Sequence, residues 1–148
     1  MSGDGAVIVG FFDSELYTYK VEAFRWTESD GMVGLNFLQN TDQSSASGVS
    51  GDGSVIVGRS YHWPISQAFI WTESDGMVGL GGPSGASFDS VALAVSADGS
   101  AIVGLWVENS RNEAFRWTAE NGMVGLGDLD GGFFRVLLQL LLLMDPLL

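Results

Sequence analysis

Five aspartates sit where a turn would present their carboxylates. They are Asp4, Asp52 and Asp98 in "SGDGA", "SGDGS" and "SADGS", and Asp30 and Asp75 in two copies of "TESDG". Acidic oxygens at turns can hold calcium. The spacing matches neither an EF-hand loop nor the short calcium-binding β-helix repeat. Asp-Gly is also a strong hairpin signal, because glycine takes positive φ angles without strain, and turn geometry is the reading the spacing favours. The carboxylate pairs Glu28/Asp30 and Glu73/Asp75 raise glycoside hydrolysis as a chemistry. The third copy of that turn carries Glu120 and Asn121 instead. A pair repeated at turns reads as scaffold, whereas an active site is singular. His62 is the only histidine and there is no cysteine, so a metal site or a nucleophile–base constellation lacks partners. The 21 glycines form no phosphate loop or dinucleotide fingerprint. The residues imply no cofactor and no metal.

The elements that must position these turns are repeats. "SGDGAVIVG" (2–10), "SGDGSVIVG" (50–58) and "SADGSAIVG" (96–104) place their anchors Asp4-Gly5, Asp52-Gly53 and Asp98-Gly99 at spacings of 48 and 46. A second block follows each anchor: "EAFRWTESDGMVGL" (22–35), "QAFIWTESDGMVGL" (67–80) and "EAFRWTAENGMVGL" (113–126), with Trp26, Trp71 and Trp117 spaced by 45 and 46. A third block, "SSASGVS" (44–50) and "SVALAVS" (90–96), precedes two of the anchors. Each unit reads as short strands. "ALAVS" runs through an Asp-Gly turn into "SAIVG". "AFRWT" alternates, with Phe24 and Trp26 on one face and Ala23, Arg25 and Thr27 on the other. "GMVGL" makes a fourth strand. Four strands per unit is the make-up of a β-propeller blade. One blade cannot cover both of its apolar faces, so the next must stack on it. The expected fold is all-β: a propeller-like array of about three four-stranded blades over 2–43, 44–89 and 90–132.

Composition bounds the partners. The chain has 148 residues, 46% hydrophobic and 16% charged, which suits a packed repeat array with a real core. Six basic residues stand against 18 acidic ones, a net charge of −12. Such a surface repels phosphates and so excludes nucleic acid; it also disfavours anionic membranes. The copies differ most in "FFDSELYTYKVE" (11–22), "RSYHWPISQ" (59–67) and "LWVENSRNE" (105–113). Phe11, Tyr17, Tyr19, Tyr61, Trp63 and Trp106 there form a candidate aromatic rim for a protein or carbohydrate ligand.

The ordered pattern "S-x-DG-S-x-IVG … AFRWT … GM-x-GL", repeated over residues 2 to about 132, resembles the HAF family of bacterial extracellular repeats. The family's tripeptide position reads Glu22-Ala23-Phe24, Gln67-Ala68-Phe69 and Glu113-Ala114-Phe115, so its first letter varies here. "SADGS" also resembles the structural Asp-box hairpins of sialidase propellers. The HAF resemblance implies a surface or secreted repeat protein with no catalytic residues to carry over. The expected function is a non-enzymatic extracellular or cell-surface scaffold for protein or carbohydrate interaction, within a longer array. The competing readings are a fragment of a carbohydrate-active propeller hydrolase and a reading frame without function.

Residues 133–148, "FFRVLLQLLLLMDPLL", leave the pattern. Arg135, Gln139, Asp145 and Pro146 interrupt them, so they are too short and too broken for a membrane span. A short helix over 136–144 is one reading. The other is a fourth repeat in a shifted frame. GCT GAT GGA TCC GTT ATT G encodes Ala-Asp-Gly-Ser-Val-Ile, and read one base late it spells Leu-Met-Asp-Pro-Leu-Leu, which is residues 143–148. The shifted aspartate codon falls at Met144, 46 residues past Asp98. The opening "MSGDGAVIVGFF" has no basic n-region and no adequate apolar core, so no signal peptide is expected in it. The array is expected to expose an apolar blade face at each end, and so to self-associate unless chains complete a ring. Sequencing the DNA across codon 133 is expected to show further Asp-Gly and Phe-x-Trp repeats in another frame; uninterrupted non-repeat DNA there would refute the shift.

Overall fold

The computed structural model describes residues 1–14, 20–82, 89–108 and 111–127. The segment over 133–148 lies outside them, as do Tyr17 and Tyr19. The described chain is all β. The first sheet holds β1 (Ile8–Ser14), β2 (Lys20–Thr27) and β3 (Gly31–Gly34). The second holds β4 (Gln43–Val49), β5 (Ile56–His62), β6 (Ile65–Thr72) and β7 (Gly76–Gly79). The third holds β8 (Asp89–Val95), β9 (Ala101–Glu108), β10 (Arg111–Thr118) and β11 (Gly122–Gly125). Within each sheet the strands follow chain order and pair antiparallel, so the fold is a partial β-propeller of three blades.

Register explains how the blades stack. Ile56 pairs with Trp71 and Gly58 with Phe69; Ile102 pairs with Trp117 and Gly104 with Phe115. Side chains of one face alternate along a strand, so isoleucine, phenylalanine and tryptophan share what we term the phenylalanine face. The opposite face carries the alanines. The phenylalanine face of the second sheet covers the alanine face of the first, joining Ala23 and Leu35 to Ile56 and Phe69. The third sheet covers the second in the same way, joining Val57, Ala68 and Leu80 to Ile102, Phe115 and Met123.

Close approach makes this packing possible. A Cβ on Gly104 would strike both the Val91 carbonyl and the Phe115 ring, and one on Gly58 would strike the Ser45 carbonyl and the Phe69 ring. The ring lies flat on the strand because glycine leaves it room. A register shift at the same place in both leading strands, between Ala46 and Gly48 and between Ala92 and Ala94, sets those carbonyls.

Polar links fix the stacking. Ala23 N–H donates to Ser44 Oγ and Ala68 N–H to Ser90 Oγ, both at 2.9 Å. Gly3 N–H donates to the Gly51 carbonyl and Gly51 N–H to the Ala97 carbonyl, also at 2.9 Å. Buried donors need such partners; here each partner comes from the next blade, so the bonds align neighbours as well as satisfying them.

Phe69→Ala and Phe115→Ala are each expected to cost about 3–5 kcal/mol in urea unfolding, since both rings are fully buried. Phe24→Ala, at the equivalent but half-exposed place on the first sheet, is expected to cost distinctly less. Equal losses at all three positions would contradict the stacking order.

Candidate binding surface

The two ends of each blade differ in kind. One end gathers the repeated turns. In the second and third blades the Asp-Gly turn joins the first and second strands, in the first blade it leads into β1, and the "TESD" or "TAEN" turn joins the last two strands of each. The other end gathers the hairpins between β1 and β2, β5 and β6, and β9 and β10, where the copies differ.

At the repeated end the aspartates are engaged within their own turns. Ser50 Oγ donates to Asp52 Oδ1 at 2.7 Å, and the Ser54 N–H and Oγ donate to the same oxygen at 3.0 and 2.7 Å. Val55 N–H closes the loop onto Ser50 Oγ at 3.0 Å. Asp98 repeats this with Ser96, at 2.6 Å, and with Ser100, at 3.0 and 2.8 Å. Asp4 accepts from Ser2 Oγ and the Ala6 N–H; alanine stands where the other turns have a serine, so one hydroxyl is missing. Hydrogen bonds to the ionised form lower a carboxyl pKa. The Ser54 N–H and the Ser50 hydroxyl hold Asp52 at about 2. The Ser96 hydroxyl and the Ser100 N–H hold Asp98 at about 2. Asp4 is lowered as well, chiefly by the Ser2 hydroxyl. Positive φ falls on the glycines alone, at 74° for Gly5, 78° for Gly53 and 75° for Gly99, while the aspartates stay out of the left-handed region. The expectation of hairpin geometry therefore needs one refinement: the aspartate acts as a side-chain acceptor and the glycine supplies the bend.

The second turn works in the same way. Thr27 Oγ1 accepts from the Asp30 N–H at 3.2 Å and donates to Asp30 Oδ2 at 3.0 Å, and Arg25 Nη1 lies 3.3 Å from that oxygen. Thr72 and Asp75 repeat the exchange. Asp30 and Asp75 are thus committed to their turns. Between the two turns of a blade runs a groove that repeat counting did not reveal. In the second blade it has a volume of about 460 Å³, bounded by Asp52, Trp71 and Glu73 with Arg25 from the first blade. In the first blade the same groove, about 710 Å³, is bounded by Gly5, Trp26 and Glu28 with Arg25 of the same blade. The signal was present in the sequence, because the two grooves use equivalent positions. Their convergence depends on strand pairing.

At the variable end the residues fare differently. Trp63 is 89% exposed at the tip of the β5–β6 hairpin, ahead of the cis-linked Pro64. Phe11 is 62% exposed on β1. Tyr61 is half-buried beneath the Arg59 guanidinium, 4.8 Å from its ring centre. His62 Nδ1 lies 3.0 Å from Asp42 Oδ2, both open to solvent. Trp106 is not on the rim. It is 4% exposed and lies parallel to Phe115, with ring centres 6.0 Å apart. It pairs across with Glu113 and Ser90, on the phenylalanine face, so it points at the preceding blade. The repeat-equivalent position in the second blade is Ser60. That residue is also buried and bonds the Gln43 carbonyl and the Leu38 N–H.

No family model matches this chain, and no curated protein matches it. Solved structures do. A protein described as a TolB from Agrobacterium tumefaciens superposes with a TM-score of 0.62 at 15% identity, covering 87% of this chain and 45% of that one. The TolB of Acinetobacter baumannii gives a TM-score of 0.58 at 16% identity, covering 87% of this chain and 32% of that one. The chain therefore spans less than half the length of either. At this identity the likeness carries the fold.

The lowered pKa values fix the sign of the pH dependence. A folded-state pKa below the unfolded value of 3.8 gives stability that is fully present above that value and is lost as pH falls toward about 2. Stability measured from pH 5 to pH 2 is expected to drop across that window. The double variant Asp52→Ala/Asp98→Ala is expected to lower Tm at pH 5 and to flatten the acid slope; an unchanged slope would contradict the assignment.

Proposed function

We propose that this chain is a non-enzymatic interaction scaffold that works at a bacterial surface or within the envelope. Its ligand is a protein or a carbohydrate, held at the variable end. The observation that carries this reading is Trp63, an indole left 89% exposed at a hairpin tip. A large aromatic with only two side-chain torsions gives contact area at little entropic cost, and sugars and protein side chains both stack on it. Phe11 offers a second exposed ring on another blade.

Two further points support the reading. Of each carboxylate pair that suggested hydrolysis, the aspartate is drawn into its turn, where threonine hydroxyls bond Asp30 and Asp75. The sequence pattern resembles HAF repeats, which implies an extracellular or surface setting without catalysis. Net charge of −12 turns the scaffold away from phosphates and toward neutral or basic partners.

The direct test is calorimetric titration with a panel of soluble cell-wall and plant polysaccharide oligomers, and with basic and neutral peptides, alongside chromogenic glycosides assayed for turnover. At least one neutral glycan or peptide is expected to bind, with affinity falling about tenfold in Trp63→Ala, as loss of one stacking contact predicts. Glycoside turnover, or binding indifferent to Trp63, would overturn the proposal.

A further inference from the structure

The contact between blades is made twice inside the chain, and one half of it stands open at each end of the described array. On the phenylalanine face, Ile56 and Ile102 are fully buried, while Ile8 at the same repeat position is 41% exposed and Met32 beside it 56%. On the alanine face, Leu35 and Leu80 are 2% and 7% exposed, while the equivalent Leu126 is 42% exposed. Among the described residues, no sheet lies on the covering face of the first sheet or on the covered face of the third.

Three more features make these faces complementary to each other. Both halves of the contact are proven to fit, since the same residue types meet in the chain's own two junctions. The backbone ladder from Gly3 to Gly51 to Ala97 runs in one direction. Extending it by one step would join the Ala97 N–H to a Gly3 carbonyl. Charge also matches. Arg25 stands beside the second blade's groove with Glu73. Arg116 is its repeat equivalent, exposed on the third blade, and the matching groove on the first blade carries Glu28 beside that blade's own Arg25, whose guanidinium is paired with Asp30. The middle copy has Ile70 at that position, which packs against the core of its junction in place of a charge.

We propose that two copies of this chain dock head to tail, the third blade of each against the first blade of the other. The phenylalanine face of β1–β3 then covers Leu126 of the second copy, and Arg116 of that copy lies against Glu28. The contact is heterologous, and closure decides whether it yields a ring or a filament. Two copies with three sheets each supply six blades, within the range of roughly four to eight that close a propeller. Three copies would exceed that range. The first sheet has three strands, so Ser44 and Ser90 have no counterpart in it and the Ala114 N–H gains no serine partner. The junction is therefore weaker than the internal ones, and dimerisation depends on concentration. This inference goes beyond the reading of the variable end and does not depend on it.

The experiment is sedimentation velocity of the full 148-residue chain at several concentrations up to about 100 µM. A species of twice 15.7 kDa is expected. Met32→Lys and Leu126→Lys are each expected to raise the dimer dissociation constant at least tenfold, with circular dichroism unchanged, since both side chains are exposed in the single chain. Mixing the two variants pairs one intact phenylalanine face with one intact alanine face, so the mixture is expected to recover a dimer that neither variant forms alone. A face-to-like-face dimer would give no such recovery. A wild-type chain that stays monomeric, a dimer indifferent to Leu126→Lys, or a mixture without recovery each overturns the proposal.

Discussion

The packing of a phenylalanine face onto an alanine face is the constraint on which the rest of this structure depends. A blade of three or four short strands has two apolar faces and cannot bury either alone. Phe69 and Phe115 bury completely only because another blade lies over them. That requirement selects the residue types on both sides. The covering face needs large rings, with glycine beneath them at positions 58 and 104. The covered face needs small side chains, as at Ala23 and Ala68. Repetition in the sequence is the record of this one contact, made again for each added blade.

The polar groups serve the same end. Ser44 and Ser90 are buried hydroxyls, each spent on an alanine N–H in the blade before. The aspartates of the repeated turns are spent on serines and backbone amides. Groups that looked able to do chemistry are therefore tied down by geometry. Oδ1 of Asp52 already accepts three hydrogen bonds, which leaves it little capacity to bind a cation or to carry a proton near neutral pH. A low pKa here is a mark of structural use rather than of catalysis.

Much of the fold was legible in the sequence because it is local. Strand order, turn positions and the alternation that separates Phe24 and Trp26 from Ala23 and Arg25 all follow from short-range pattern and repeat spacing. What escaped depends on register between strands. Trp106 lies in a variable segment and reads as a rim residue, yet pairing with Glu113 and Ser90 turns it inward, where it replaces the small Ser60 of the preceding copy. The grooves escaped for the same reason, since Asp52 and Glu73 are 21 positions apart and meet only when β4, β5 and β6 are aligned. The bulges at Ala46/Gly48 and Ala92/Ala94 left no readable signal, because the residues involved are small and common.

A symmetric scaffold carries information only where the symmetry is broken. The breaks here are of two kinds. At the variable ends, Trp63 and Phe11 are large rings in solvent, which hydrophobic burial alone does not explain. Within the stacking faces, arginine stands at 25 and 116 but isoleucine at 70. A charged side chain is tolerated at a blade junction where carboxylates lie around it, as Arg25 pairs with Asp30 and borders the groove that Glu73 lines. It would be a liability on a face left bare beside Leu126. Arg116 is thus placed as though a groove like that of Glu28 belonged opposite it. The repeat that gives this chain its core also prescribes what its open faces can accept.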